Sequence, residues 1–112
     1  MSSRKVLVTG ISMISPLGVG KNANWNSVLN KGNAIRKLQG AEFADIDCKI
    51  GGMLTTDVFD PADHPTSFGF RASSLAAALA SQAITDSGMD LAGMEEAELR
   101  RSGILISNQY GV

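Results

Sequence analysis

The sequence predicts an α/β fold organised around one helix, and three stretches carry that expectation. Lys5-Val6-Leu7-Val8-Thr9 is a short β-branched apolar run that ends at Gly10, and Gly103-Ile104-Leu105-Ile106 is a second. Neither alternates with polar residues, which is the pattern of strands covered on both faces of a parallel sheet. Between them, residues 69–87 read as an alanine-rich helix that is apolar nearly all the way round. A helix of that kind is usually buried on every side.

In chain order, the run at residues 5–9 is followed by Ser15-Pro16-Leu17-Gly18-Val19-Gly20. Pro16 lacks a backbone donor, so this stretch reads as a loop. Asn22 or Asn24 is placed to cap a helix over about residues 24–31, with Trp25, Val28 and Leu29 on one face and Gly32 as the stop. Residues 33–47 show no clear period. Cys48-Lys49-Ile50 reads as a short strand ended by Gly51-Gly52, and Asp60-Pro61 through His64-Pro65 as turn or loop. The long helix draws its apolar surface from Phe70, Ala72, Leu75, Ala78, Leu79 and Ile84 and stops at Asp86-Ser87-Gly88. A second short helix is expected over about residues 94–100.

Composition excludes several classes of function. The chain has 112 residues, 44% apolar and 19% charged, which places it with folded domains rather than disordered segments. A formal charge of −1 gives no bulk attraction to nucleic acid or an anionic membrane, so neither partner is expected. Charge is uneven: residues 1–41 carry six bases and no acid, and residues 42–63 carry six acids and one base. A solvated surface whose halves offset each other accounts for this, with a basic docking face as the other reading. With Cys48 as the single cysteine, no internal disulfide forms, which fits a reducing compartment. No stretch has the apolar run of a signal peptide or a membrane span, so a cytoplasmic location is expected.

Val6-Leu7-Val8-Thr9-Gly10 invites a dinucleotide reading, since a strand leading into glycines can cradle a pyrophosphate at a helix N-terminus. The two later glycine positions of that pattern are Ile14 and Pro16 here, and Gly18 and Gly20 come four residues late. A branched side chain and a ring sit where phosphates need close approach. No cofactor is therefore expected.

The same residues fit another pattern. Val8-Thr9-Gly10-Ile11-Ser12-Met13-Ile14-Ser15-Pro16-Leu17-Gly18 resembles the V-T-G-x-G-x-x-S-P-L-G opening of β-ketoacyl-acyl-carrier-protein synthases. The likeness continues in register. Gly32-Asn33-Ala34-Ile35-Arg36 resembles G-x-S-G-I-R, and Lys49-Ile50-Gly51-Gly52-Met53 resembles a short I-A-G-x-V strand. Residues 80–88 resemble A-x-x-A-L-x-D-A-G, and Arg101-Ser102-Gly103-Ile104-Leu105-Ile106 resembles R-x-G-V-I-V.

That resemblance implies the N-terminal part of a thiolase-like fold, a mixed sheet with a buried alanine-rich helix, with residues 1–112 as one partial domain. It implies an acyltransferase that joins an acyl group held on cysteine to a malonyl unit, with histidines assisting the loss of carbon dioxide. None of that apparatus matches residues of this chain. Cys48 lacks the family's cysteine motif and reads as a small packed residue. His64 reads as a solvated loop histidine, and no second histidine exists to build a metal site with it.

Two departures bear on function. The segment before the alanine-rich helix is basic in many relatives and docks the acyl carrier protein; here Pro65-Thr66-Ser67-Phe68-Gly69-Phe70-Arg71 has one base. Where relatives carry a glycine-rich pocket loop, this chain has Ser107-Asn108-Gln109-Tyr110-Gly111-Val112. Asn108, Gln109 and Tyr110 are thus the candidate substrate-pocket residues, and Tyr110 either shortens that pocket or packs at an interface. Two readings stay open: part of a condensing enzyme, or a non-catalytic subunit resembling a chain-length factor that shapes a partner's pocket. In both, the expected partner is a complementary ketosynthase-like chain or the missing C-terminal part, with acyl carrier protein as a further candidate. Only two confident strands accompany the all-apolar helix, so more protein is expected to complete the core.

Overall fold

The computed structural model describes residues 4–66 and 69–107. Ile14–Ser15 (β1) and Gly18–Val19 (β2) form a tight antiparallel hairpin around Pro16-Leu17, with Ile14 opposite Val19 and Ser15 opposite Gly18. Helix α1 (Lys21–Leu29) starts at once, because Gly20 takes φ 86° and turns the chain out of the strand. Its end is a Schellman motif: the Gly32 amide donates to the Ser27 carbonyl at 2.7 Å and the Lys31 amide to that of Val28 at 3.0 Å. The left-handed position falls on Lys31, at φ 55°, and not on glycine. Gly32 is needed for a different reason, since a Cβ there would lie 2.8 Å from the Ser27 carbonyl oxygen.

Ile35–Lys37 (β3) pairs antiparallel with Ile50–Gly52 (β4), Arg36 opposite Gly51, and a single 3-10 turn at Ala41–Phe43 sits between them. β3 falls where no element was expected, and β4 lies two residues later than the expected strand. Three-residue strands are too short to show a period. A second 3-10 turn, Pro61–Asp63, is capped by Asp60, whose carboxylate accepts from the Ala62 amide at 2.8 Å. It packs on α2 (Arg71–Ser87), which ends at Gly88 in the left-handed conformation. α3 (Glu96–Leu99) opens with a capping box between Glu95 and Glu98.

Two expectations about packing are corrected. Residues 5–9 and 103–106 form no strand: Val6 is 93% exposed and Leu105 96%. A parallel strand needs neighbours on its edges, and the only pairings among the described residues are the two small hairpins. Helix α2 is present with nearly the expected bounds but is half-buried; only Ser74 and Ala78 along it are fully covered. Packed against it are the opening loop and the Pro61–Asp63 turn, while Ala77, Ala80 and Ser81 face solvent.

The buried apolar core among the described residues is Phe59 and Ala78. The accessible surface is 9465 Å², against about 5,900 Å² for a compact monomer of this mass. The radius of gyration is 17.8 Å, against about 13 Å for a compact domain of this length. The chain on its own is a set of well-made local elements around an unfinished core.

Candidate functional site

The polar groups that converge most closely lie where the opening loop meets α1 and α2. Asn24 is the centre of the first cluster and is 3% exposed. Its amide nitrogen donates to the carbonyls of Gly18 and Gly20, each at 2.8 Å, and its oxygen accepts from the Ser15 hydroxyl. Ser15 Oγ also accepts from the Leu17 amide at 3.1 Å, and Ser27 Oγ donates to the Leu17 carbonyl at 3.1 Å. The Ser15-Pro16-Leu17-Gly18 turn is therefore held by two side chains of α1. The helix cap is Gly20; Asn24 lies inside the helix and reaches back to the cap carbonyl, which corrects the expectation of an asparagine cap.

The second cluster joins the loop to the far end of α2. One oxygen of Asp86 pairs with the Lys21 ammonium and the other accepts from the Ile11 amide at 3.0 Å. Ser12 Oγ donates to the Leu79 carbonyl at 2.7 Å. Gly10 lies so close to α2 that a Cβ would fall 2.9 Å from the Ser87 nitrogen and nearer still to the Ala83 carbonyl. The Lys21 ammonium, and then the Ile11 amide, hold the Asp86 carboxyl below its ordinary value. An ionised, acceptor-only carboxylate in this position is a structural anchor and not a proton donor.

This arrangement decides against phosphate at the opening loop. The amide that follows Gly10 is already given to a carboxylate, and the helix end beside it is a C-terminus, whose carbonyls repel anions. An open cleft of about 320 Å³ beside the clasp is lined by Ser12, Gly20, Lys21, Gln82 and Asp86, among others, and its two charged groups satisfy each other.

Cys48 is exposed, and its Sγ meets the Ile50 carbonyl at 3.5 Å; the packed position expected for it is not observed. His64 is exposed as expected, with its ring stacked on Phe59 at 5.3 Å between centroids. No group of three metal-binding side chains occurs among the described residues. No helix among them is long and apolar enough to cross a membrane. Asn108, Gln109 and Tyr110 lie outside the described residues. The roles of Asn24 and Asp86 do not follow from the sequence; Asp86 sits in a stretch that carries the resemblance, whereas Asn24 lies in a polar helix start with no local signal that marks it.

The opening loop is thus clasped by α1 on one side and by the end of an alanine-rich helix on the other, within a chain of helices and short strands. The family described as "Beta-ketoacyl synthase, N-terminal domain" matches residues 3–108, and the chain belongs to it as an N-terminal ketosynthase segment. Membership implies a thiolase-like fold. Among curated relatives, the 3-oxoacyl-[acyl-carrier-protein] synthase 2 of Vibrio harveyi is 26% identical over 115 residues, covering 99% of this chain and 26% of that protein. The protein of the same name from Rhizobium meliloti (strain 1021) is 43% identical over 47 residues, covering 42% of this chain and 11% of its own length. The chain thus spans about a quarter of the Vibrio relative.

Proposed function

We propose that this chain is the N-terminal portion of a β-ketoacyl-acyl-carrier-protein synthase-like protein that elongates fatty-acid or polyketide chains in the cytoplasm. The supporting observation is the family match over residues 3–108, in which the opening motif and the α2 end are the two halves of one clasp. In the reaction, a cysteine thiolate attacks the acyl thioester, forming an acyl-cysteine and releasing the thiol that had carried the acyl group. The malonyl unit then loses carbon dioxide, and the carbanion so formed attacks the acyl carbonyl, restoring the thiolate. The cysteine and histidines for these steps lie outside residues 1–112. What this chain contributes is α2 and the clasp that fixes the opening segment against it. Asn108, Gln109 and Tyr110 line the acyl pocket in this reading, and Tyr110→Ala lengthens the acyl chains accepted; an unchanged chain-length profile removes Tyr110 from the pocket.

A second reading, a non-catalytic subunit resembling a chain-length factor, draws on the single base in residues 65–71 and the loss of the glycine-rich pattern at residues 107–112. One experiment separates the two. The chain is tagged, purified from the cells that make it, and identified by mass with everything bound to it. An assembly that releases carbon dioxide from malonyl-carrier protein and contains one ketosynthase cysteine per copy of this chain supports the first reading. A cysteine carried only by a second, complete ketosynthase supports the other. A solitary 112-residue species without activity defeats both.

A further inference from the structure

Resting on that reading, we propose that the β3–β4 hairpin docks the acyl carrier protein, through an open cleft that sets Arg36 and Lys37 beside Leu38 and Met53. This is a different surface from the segment at residues 65–71, which is basic in many relatives and has one base here.

That segment repels an acidic partner in this chain. Residues 57–71 hold Asp57, Asp60 and Asp63 against Arg71 as the one lysine or arginine. The Arg71 guanidinium is itself turned inward and donates to the Leu54 carbonyl. A carrier that docks on basic segments presents acid, and like charges set face to face across an interface work against binding.

The hairpin offers the opposite. The cleft encloses about 190 Å³ and is lined by Arg36, Lys37, Gln39 and Thr55 around Leu38 and Met53, with no acid on its walls. Arg36 Nη1 donates to the carbonyls of Asn33 and Ile35, which fixes the guanidinium and leaves its other nitrogens for a ligand. Neither Arg36 nor Lys37 forms an ion pair among the described residues. Gly51 stands opposite Arg36, so no β4 side chain fills the space across from it; a Cβ there would meet Leu38 at 3.3 Å. In the connection between the strands, the Glu42 carboxylate lies over Gly40. Lys49, bonded at 2.6 Å to the Phe43 and Ala44 carbonyls, brings a cation to the same stretch, which holds Asp45 and Asp47.

The lining selects a protein over a small anion. Leu38 and Met53 contribute nothing to a phosphate group, whereas an apolar side chain seated on them, with carboxylates reaching Arg36 and Lys37, uses every group on the walls. Arginine and methionine are both enriched where proteins meet. The relatives from Vibrio harveyi and Rhizobium meliloti are named for an acyl carrier protein, which supplies a partner of this charge.

The test is binding of dye-labelled acyl carrier protein to the native assembly, read by fluorescence anisotropy. Arg36→Glu and Lys37→Glu are each expected to raise Kd about tenfold or more. Lys37 makes no side-chain hydrogen bond among the described residues, so its reversal leaves the hairpin bonding intact. Wild-type binding should weaken steadily as salt rises from about 0.05 to 0.5 M. An unchanged Kd in both reversals overturns the proposal. Weakening by Arg71→Glu in their place also overturns it, by returning the carrier to the approach to α2. Equal weakening by Arg100→Glu, on α3 and outside the cleft, leaves net charge as the cause and overturns it too. So does displacement of the carrier by inorganic phosphate at constant ionic strength, which makes the cleft a small-anion site. A condensing assembly whose carrier affinity ignores both reversals defeats this inference and leaves the proposed function standing; an inactive assembly that holds the carrier through Arg36 and Lys37 does the reverse.

Discussion

Replacing Asn24 with alanine tests whether the opening turn is held by the side chains of α1. The substitution removes two hydrogen bonds to the Gly18 and Gly20 carbonyls and the acceptor of the Ser15 hydroxyl, all at a residue 3% exposed. Each bond contributes about 0.5–1.5 kcal/mol net. The Gly20 carbonyl keeps the Asn24 backbone amide at 3.2 Å, and Ser15 Oγ keeps the Leu17 amide, so those two losses are partial. The Gly18 carbonyl loses its side-chain donor outright. The expected cost is about 2–3 kcal/mol. Trp25, the chain's single tryptophan, adjoins the substituted position and reports on it directly. Urea unfolding of the native assembly, followed by Trp25 fluorescence with any partner's tryptophans replaced by phenylalanine, should show the midpoint falling by about 1–2 M, for a slope of about 1.5 kcal/mol per M. Asn24→Asp should be at least as damaging at neutral pH, because a carboxylate then faces two carbonyls. It should recover in part on acidification, as the protonated acid regains one donor. A midpoint shift below about 0.3 M for Asn24→Ala would refute the reasoning, and with it the view of the Ser-Pro-Leu-Gly turn as a structural knot.

Gly10→Ala should cost about 1–3 kcal/mol and speed hydrogen exchange over residues 9–13, because the atoms met by the new methyl include α2 backbone, which cannot swing aside; wild-type exchange in the variant contradicts the contact. Asp86 should titrate below its ordinary value of 3.8 when followed by carbon NMR. Since its folded pKa is depressed, the clasp is fully formed above the unfolded value and lost as pH falls through the folded one. Asp86→Asn should remove that acid dependence, and a midpoint at or above 3.8 refutes the pairing. Cys48 is exposed, so alkylation with iodoacetamide should be rapid; under the proposed function, Cys48→Ser should leave condensation unchanged, and loss of that activity would make Cys48 part of the chemistry.

The helices were the most legible parts of this chain. Local signals set them: the spacing of Trp25, Val28 and Leu29 marks α1, and Gly88 after Asp86-Ser87 ends α2 where expected. The α1 start was misread because a glycine with positive φ did what an asparagine cap was expected to do. The β3–β4 hairpin was half missed, since its pairing joins residues 35–37 to 50–52 across a stretch without a period. The clasp was not legible. Asp86 and Ile11 are 75 positions apart, and nothing in either local pattern says that the carboxylate of one will accept a hydrogen bond from the amide of the other.

By itself the sequence determined the family, the helices and the apolar character of residues 5–9 and 103–106, because these depend on residue order and short-range periodicity. Only the tertiary structure decided that the opening glycine packs on a helix C-terminus, and that its neighbouring amide faces a carboxylate and is closed to phosphate. It also decided that α2 is covered on one side alone. These are matters of what lies next to what in space. Burial belongs to an assembly of surfaces, so an apolar pattern can call for a covering that residues 1–112 do not contain.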